Sequence, residues 1–371
     1  MTPERFRSIT SGYAWLRIAI VGDFCLDRYL EIDPARCETS IETGLPVHNV
    51  VRVRAQPGGA GTILNNLVAL RVGRIVPVSF CGEDGEGYEL RRELARLPGV
   101  ELDHFVTSPL RRTFTYCKPL IVEPDHEPVE LNRLDSKNWT PTPPSLAQRL
   151  ADGLREIASE IDALIVLEQV DQAETGVVTR ALLDAIGTLA AALPSLPILA
   201  DSRRGLAGWP GLSFKMNASE LAALLSGEGE PARIFPSEGE PPGEPGTIQA
   251  RQEPRPPGGT PIDLNQLKSA ASALARRNGR PVFVTLAERG IIAAAPDGTM
   301  EHVQAVPVRG PIDIVGAGDA VTANLATALP SGASLRESIE LAAIASSVVI
   351  HQLGTTGTAT VSDLAAWVDG R

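Results

Sequence analysis

Short apolar runs alternate with Ala- and Leu-rich stretches of helical length along most of the chain. Leu16–Val21, Ala163–Leu167 and Val282–Leu286 have the length and composition of buried strands. Stretches such as Leu146–Ile161, which lie between them, have the length and composition of helices. Because strands that alternate with helices in this way form βαβ units, their sheet is parallel and covered on both faces. The sequence therefore predicts an α/β fold, a three-layer sandwich with a mostly parallel central sheet.

Two regions interrupt this alternation. Residues 36–54 and 112–135 contain extended segments with few helical stretches between them. One interpretation is a small antiparallel sheet outside the main layers, because a small sheet on a large α/β domain often acts as a lid over a site. The other interpretation is that these segments are edge strands of the main sheet. We predict the lid.

A third interruption, residues 228–262, is rich in Pro, Gly and Glu. It carries too few apolar side chains to offset the entropy cost of ordering the chain. We therefore expect a flexible surface loop inserted between two helices of a single domain that spans residues 1–371.

The composition argues against several kinds of partner and site. Acidic residues (45) outnumber basic ones (34), so the net charge is −11, and neither nucleic acid nor a membrane is expected as a partner. No apolar run approaches the roughly 18 residues of a membrane helix, and the N-terminus lacks the apolar core of a signal peptide. The four cysteines contain no CxxC pair and the five histidines show no metal spacing. These features predict a cytoplasmic protein with reduced thiols and no zinc site.

The strongest chemical signal is the segment Asp313–Asp319, DIVGAGD, which is followed directly by an Ala-rich helix. Gly316 and Gly318 allow the backbone to turn tightly at the helix N-terminus. The free N–H groups and the positive end of the helix dipole make an anion site there. Asp319 either caps the helix or accepts a proton from an attacking hydroxyl group while the N–H groups stabilise a transferring phosphoryl group. The local pattern leaves both roles open.

Four segments together resemble the PfkB/ribokinase family of carbohydrate kinases. Asp313–Asp319 matches the family pattern D-T-x-G-A-G-D except at Ile314. Pro57–Gly61 resembles the Gly-Gly turn that opens a helix in the N-terminal third, and Asn217–Glu220 resembles the N-x-x-E motif. Val284–Gly290 resembles the nucleotide-side stretch. The segments follow the family order over nearly the whole chain, which implies a ribokinase-like fold and ATP as the phosphoryl donor.

Within this family the chain is most similar to the heptose 7-phosphate kinases. The similarity lies in Val21–Tyr29, Arg133–Asp135 and Leu353–Thr355, which are less specific than the GAGD segment. It implies phosphorylation of heptose 7-phosphate at the anomeric hydroxyl group. We expect the kinase domain only, without the nucleotidyltransferase domain that some members carry.

The resemblance implies roles on the phosphate side of the site. Asp319 would be the general base, and the N–H groups of Gly316, Ala317 and Gly318 would form the anion hole for the γ-phosphoryl group. The residues implied beside the nucleotide are Asn217, Glu220, Thr285, Glu288, Gly290 and Asp313. Asn217 and Glu220 would order Mg²⁺, mainly through water. Glu220 as a helix-surface acid, Glu288 as a solvent-facing side chain, and a need for a monovalent cation stay open.

The resemblance also implies a sugar side. The residues implied there are Asp23, Asp27, Gly58, Gly59, Thr62, Asn66 and Arg133. Asp27 is the preferred contact to a sugar hydroxyl, whereas Asp23 either contacts the sugar or caps the turn after the first strand. Asn66 either bonds a hydroxyl group or makes a buried contact between helices. The candidates for binding the phosphate group of a phosphorylated sugar are Arg112, Lys118, Arg133, Arg203 and Arg204.

Three departures from the family pattern bear on the activity. Thr62 stands where an Asn usually follows the Gly-Gly turn, and Ile314 replaces the usual Thr of the GAGD motif. Ala343 or Ile344 falls where an Asn often lines the adenine pocket. They suggest a divergent substrate or a loss of activity, although the base and the anion hole remain.

The prediction is an ATP-dependent sugar kinase that requires Mg²⁺. Its lid would exclude water, because a site open to water would hydrolyse ATP. The lid is also the expected surface for a homodimer, since pairing would cover exposed strand edges. The alternatives are a kinase of another sugar or of a nucleoside, and a non-catalytic sugar or nucleotide sensor on the same fold.

Overall fold

Strands and helices alternate along most of the chain, as predicted. The computed structural model describes residues 1–227, 263–354 and 356–370, so the predicted insertion at 228–262 lies outside the described residues. The strands are β1 (Arg17–Gly22), β2 (Phe24–Ile32), β3 (Glu38–Thr39), β4 (Pro46–Val47), β5 (Val50–Gly59), β6 (Arg74–Gly82), β7 (Phe105–Ser108), β8 (Thr115–Ile121), β9 (Val129–Glu130), β10 (Leu134–Ser136), β11 (Ala163–Glu168), β12 (Ile198–Ser202), β13 (Ser213–Asn217), β14 (Val282–Thr285), β15 (Ile291–Ala294) and β16 (Met300–Val303). The helices are α1 (Pro3–Thr10), α2 (Ala60–Ala69), α3 (Gly85–Ala95), α4 (Pro144–Ile157), α5 (Arg180–Ala192), α6 (Ala218–Ser226), α7 (Leu264–Asn278), α8 (Ala317–Ala328), α9 (Leu335–Ile350) and α10 (Val361–Asp369).

The central sheet has nine strands in the order β16-β15-β14-β13-β12-β11-β1-β6-β7. The strands from β14 to β7 are parallel, and β15 and β16 add an antiparallel edge. Within β1, Ile18 and Ile20 pack into one apolar cluster, whereas Ala19 and Val21 pack into the other. Because helices cover both faces, this strand is apolar at consecutive positions. The predicted mostly parallel α/β fold is confirmed.

Helices divide between the two faces of the central sheet. The cluster that contains Ile18 includes buried side chains of α1, α2, α3, α8, α9 and α10. The cluster that contains Val21 includes buried side chains of α4, α5, α6 and α7. None of the helices in the described ranges is long and apolar enough to cross a membrane.

A second sheet of five strands lies outside the central one, with the order β10-β8-β2-β5 and with β9 paired to β8. It includes parts of both predicted segments, so these are not edge strands of the central sheet. The sheet was predicted to be antiparallel, which is wrong for one pair, because β2 runs parallel to β8. Its central strand β2 was not predicted, since Asp27 and Glu31 interrupt the apolar pattern there. The short strands β3 and β4 pair only with each other.

The ends of several parallel strands meet beside the second sheet. β1 leads directly into β2, so the chain passes from the central sheet to the second sheet at Asp23. β5 ends at Gly59, where α2 begins. Ligands of open α/β sheets bind beyond the carboxyl ends of the strands, and Asp23 and Gly59 lie at this edge.

Candidate active site

The N-terminus of α8 forms the turn that the DIVGAGD segment predicts. Gly316 has a φ of +84° and precedes the first helical residue. A Cβ atom there would lie 2.9 Å from Cγ2 of Thr356, so both the backbone angle and the space require glycine. Asp313 braces the turn, because its carboxylate accepts a hydrogen bond of 3.0 Å from the N–H group of Val315. Asp319 lies in the first turn of α8, where its charge faces the positive end of the helix dipole.

Lys215 is the functional candidate that the sequence reasoning missed. It lies on β13, about a hundred positions before α8, and its side chain is almost fully buried. Its Nζ atom lies 2.9 Å from the position that a Cβ atom on Gly318 would occupy. It also forms an ion pair of 2.7 Å with Asp201 at the end of β12. A buried cation therefore adjoins the predicted anion hole. The sequence signal for it was a lysine between two apolar residues, Phe214 and Met216.

The charges and burial around Asp319 favour a carboxyl group that exchanges a proton near neutral pH. Burial raises the pKa of Asp319 to about 7, although the positive charge of Lys215 opposes the rise. Asp201 adds to the rise through its negative charge. Burial lowers the pKa of Lys215, but the nearby carboxylates of Asp201, Glu220 and Asp319 together outweigh this effect, so the net pKa is raised and the lysine stays charged. Such a carboxyl group suits general base catalysis.

The N-x-x-E segment starts α6 with a reciprocal capping box. The Asn217 side chain accepts a hydrogen bond of 2.9 Å from the N–H group of Glu220, whose carboxylate accepts one of 2.7 Å from the N–H group of Asn217. Both side chains therefore stabilise the helix start. Glu220 also lies near enough to Lys215 to raise the pKa of that lysine. The motif is thus held close to Lys215.

The predicted nucleotide-side stretch lies next to that motif. Thr285 is the register partner of Asn217 in the pairing of β13 with β14. Glu288 is exposed, so it takes the solvent-facing position that the sequence left open as one alternative. Gly290 has a φ of +88°, and a Cβ atom there would lie 1.9 Å from the carbonyl oxygen of Val303, so this glycine is required by the backbone.

Asp23 lies in the turn after β1, but its carboxylate caps the loop after β11 and not its own turn. One carboxylate oxygen accepts a hydrogen bond of 2.6 Å from the N–H group of Val177. The other accepts hydrogen bonds from the N–H groups of Gln169 (2.8 Å) and Val170 (3.3 Å). Burial raises the pKa of Asp23 to about 6, against these hydrogen bonds. The side chain joins three segments of the fold and has little capacity left for a sugar.

Asp27 lies on β2, where its side chain meets the Gly-Gly turn. A Cβ atom on Gly58 would lie 2.4 Å from its Oδ2 atom, so the glycine makes room for the carboxylate. Its Oδ1 atom is 3.4 Å from Nζ of Lys118 on β8. Burial raises the pKa of Asp27, although the charge of Lys118 opposes the rise. Asp27 is therefore a buried carboxylate held between the Gly-Gly turn and a cation.

The start of α2 lies against the α8 turn. Gly59 precedes the helix with a φ of +59°, and a Cβ atom there would lie 2.6 Å from the carbonyl oxygen of Asp23. Thr62 is buried, and its Cγ2 atom lies 3.7 Å from the position of a Cβ atom on Gly316. Asn66 is fully buried and donates a hydrogen bond of 3.0 Å to the carbonyl oxygen of Thr62. Asn66 is thus buried and bonded within its own helix.

Each of the five cationic candidates lies beside a carboxylate. Arg112 is exposed beside Asp84, and Arg204 is paired to Glu168 at 3.0 Å. The other three, Lys118, Arg133 and Arg203, are paired to Asp27, Asp135 and Asp171. Of the remaining departures, Ala343 and Ile344 are both buried in α9 among apolar side chains.

A cavity opens between the second sheet and the central sheet. Asp23 and Cys25 line one side, and Tyr116 of β8 lines the side of the second sheet. Cys25 is near enough to Asp27 and Asp319 for their charges to raise the pKa of its thiol, after the larger effect of burial. Cys25 therefore links the cavity to these carboxylates, which do not themselves line it.

Comparisons with known proteins agree with this geometry. Residues 257–361 match the model of the pfkB family carbohydrate kinases. The predicted resemblance to carbohydrate kinases of this family is confirmed. A protein of Gluconacetobacter diazotrophicus, the bifunctional protein HldE, is 29% identical over 360 residues, which cover 95% of this chain and 64% of the relative. The chain thus spans slightly less than two thirds of the length of that relative.

Solved structures show the same fold at low identity. The Arabidopsis thaliana ribokinase complexed with ribose and ATP has a TM-score of 0.60 and 16% identity, with 95% of this chain and 98% of that chain covered. The phosphofructokinase-2 of Escherichia coli in complex with fructose-6-phosphate has a TM-score of 0.59 and 17% identity, with coverages of 95% and 99%. The predicted ribokinase-like fold is confirmed.

Proposed function

We propose that this chain transfers the γ-phosphoryl group of ATP to a hydroxyl group of a sugar or sugar phosphate. The first candidate acceptor is heptose 7-phosphate, phosphorylated at the anomeric position. The observation that carries the proposal is the position of Asp319, a carboxyl group with a pKa of about 7, at a helix N-terminus beside the buried Lys215. The match to the pfkB family model, which includes Asp319, supports the same conclusion.

In the proposed reaction, the acceptor hydroxyl gives its proton to the carboxylate of Asp319. The hydroxyl oxygen forms a bond to the γ-phosphorus atom, the bond from that phosphorus to the β–γ bridging oxygen breaks, and ADP leaves. The N–H groups of Gly316, Ala317 and Gly318 would hold the negative charge of the phosphoryl group. Lys215 lies against the same turn and would add a positive charge there.

Mg²⁺ fits the oxygen donors beside this corner. Glu220 and Asn217 use oxygens in the capping box, so the ion would be held mainly through water and the ATP phosphates, as hard Mg²⁺ allows. When bound, Mg²⁺ neutralises charge on the phosphates. Thr285, Gly290 and Asp313 would shape the adjoining nucleotide site. A monovalent cation remains an additional candidate.

The acceptor would occupy the cavity beside Asp27 and Cys25. Asp27 would accept a hydrogen bond from a sugar hydroxyl, and Gly58 and Gly59 would allow the sugar to approach the backbone. The second sheet would act as the lid, since Tyr116 of this sheet lines the cavity. Closure of the lid would keep water from the phosphoryl group. Cytoplasm, where ATP is available, is the proposed location.

The second sheet also supports the proposal of a homodimer. Its edge strand β5 exposes the side chains of Val50, Val51 and Val53. Edge strands with exposed apolar side chains are commonly covered by pairing. Light scattering tests this directly, because a mass of one chain at micromolar concentration would contradict the dimer.

The test of function is ADP formation from Mg-ATP with a panel of sugars, sugar phosphates and nucleosides. We expect acceptor-dependent turnover in the wild type and a decrease of about 10²- to 10⁴-fold in Asp319→Asn. The fastest acceptor identifies the substrate class. Binding of ATP or sugar without turnover would instead favour the sensor, for which Thr62 and Ile314 are the motivating residues.

A further inference from the structure

Three cations and two acids form a cluster beside the cavity, where the second sheet meets the loop after β11. Arg133 and Lys137 approach the ring of Tyr116, with distances of 4.9 Å and 5.9 Å from the charged groups to the ring centroid. Arg203 enters from the central sheet, just after β12. Asp171 lies between Lys137 and Arg203.

The carboxylate of Asp171 is shared by cations from two parts of the fold. Its Oδ2 atom is 2.7 Å from Nζ of Lys137, which follows β10 of the second sheet. Its Oδ1 atom is 3.5 Å from Nε of Arg203. Lys137 also approaches Asp135 at 4.0 Å, and Asp135 pairs with Arg133. Three cations therefore face two carboxylates in a protein whose net charge is −11.

This group opens onto the proposed acceptor cavity. Lys137, Asp171 and Tyr116 line the cavity, as do Asp23 and Cys25. Both Lys137 and Asp171 are about one quarter exposed, so a ligand in the cavity can reach them. Lys137 and Asp171 thus lie in the cavity proposed for the acceptor, and Arg203 adjoins it through its pair with Asp171.

We propose that Asp171 is a placeholder counter-ion, and that an anionic group on the acceptor replaces it between Lys137 and Arg203. The proposal rests on the proposed kinase function for the identity of the acceptor. A phosphate dianion carries more charge than a carboxylate and presents three oxygens to the two cations. An uncharged sugar offers no group that competes with Asp171, so the exchange selects phosphorylated acceptors.

The exchange also has a structural consequence. Lys137 belongs to the second sheet side, whereas Asp171 and Arg203 belong to the central sheet side. A phosphate between them would connect the two sides in the place of Asp171. Binding of a phosphorylated acceptor therefore keeps the second sheet against the cavity.

Calorimetry with heptose 7-phosphate and with the unphosphorylated heptose tests the proposal. Lys137→Met should weaken binding of the phosphorylated probe by about tenfold or more and leave the unphosphorylated probe within about twofold. Lys137→Arg should retain most of the preference. Asp171→Asn should strengthen binding of the phosphorylated probe several-fold, because it removes the competing charge, and a purely structural ion pair would not produce this gain. Arg149→Met, an exposed change on α4, is the control for removal of one positive charge.

Each outcome bears on the proposal separately from the kinase function. Equal affinity for the two probes in the wild type, no binding of the phosphorylated probe, or weaker binding in Asp171→Asn would overturn it. Turnover that depends on Asp319 with an unchanged preference in Lys137→Met would leave the kinase standing without this inference. The predicted change in preference without any ADP formation would leave the inference standing and the kinase function refuted. Thermal melting of each variant identifies any that fails to fold.

Discussion

The ionised carboxylate of Asp319 should lower the free energy of unfolding. Replacement of Asp319 should therefore increase stability while it removes activity. Burial raises the pKa of this group from 3.8 to about 7. Because the folded state prefers the protonated form, the stabilising contribution is present at low pH and is lost as the pH rises from about 4 to about 7. The ionised group costs at most on the order of 4 kcal/mol above that range, at about 1.4 kcal/mol for each tenfold change in the dissociation constant.

Urea unfolding of the wild type and of Asp319→Asn at pH 5 and pH 8 measures this cost. The same linkage relation predicts that the advantage of the variant in free energy of unfolding grows by about 2.5 kcal/mol between the two pH values. Asp369→Asn, an exposed change on α10, is the matched control and should show no such growth. An advantage of Asp319→Asn that is equal at pH 5 and pH 8 would refute the reasoning, because the carboxyl group would then titrate alike in both states.

The same variant separates stability from catalysis. Its turnover should decrease by about 10²- to 10⁴-fold, as expected for the loss of a general base. Since the variant is expected to be more stable at pH 8, unfolding cannot account for that decrease. In the wild type, kcat/KM should rise about tenfold between pH 6 and pH 8 as the group loses its proton.

Three further changes test the site and its scaffold. Lys215→Met should increase the KM for Mg-ATP about tenfold or more and raise the pKa of Asp319 further, because it removes the nearby positive charge. An unchanged KM together with an unchanged pH profile of kcat/KM would exclude Lys215 from the phosphate site. Gly290→Ala should lower the free energy of unfolding by about 3 kcal/mol or more, since its Cβ atom would meet a carbonyl oxygen at 1.9 Å. Gly298→Ala, at a φ of +95° in open space, should cost only about 1 kcal/mol, and equal urea midpoints for the two would contradict this account. Asp23→Ala should cost about 3 kcal/mol or more, because three backbone N–H groups lose their acceptor; a higher KM for the sugar at unchanged stability would show that Asp23 contacts the sugar instead.

Local features of the chain were predictable because short-range physics controls them. The alternation of apolar and helical stretches predicts a parallel sheet with two covered faces, and the structure confirms it. Gly316 and Gly59 mark tight backbone positions because their positive φ angles favour glycine, whatever surrounds them. The start of α8 and the place of Asp319 in its first turn therefore follow from the DIVGAGD segment.

Contacts between distant segments were not predictable from the sequence. Asp23 caps the loop after β11 because the N–H groups of Gln169, Val170 and Val177 converge on it, and no local sequence pattern indicates those donors. The second sheet was missed in part because β2 carries charges on the face toward the cavity, where the apolar pattern that marks a strand is interrupted.

The sequence by itself determined the fold class, the glycine turns and the family resemblance, since these depend on periodicity and on backbone geometry within a few residues. Only the tertiary structure decided which charges meet. It placed Lys215 of β13 against the α8 turn, paired it with Asp201 of β12, and thereby set the environment of Asp319. It also brought Lys137 and Asp171 together across the cavity. The physical reason is that burial and charge pairing arise between segments far apart in the chain, so they exist only once the strands have assembled.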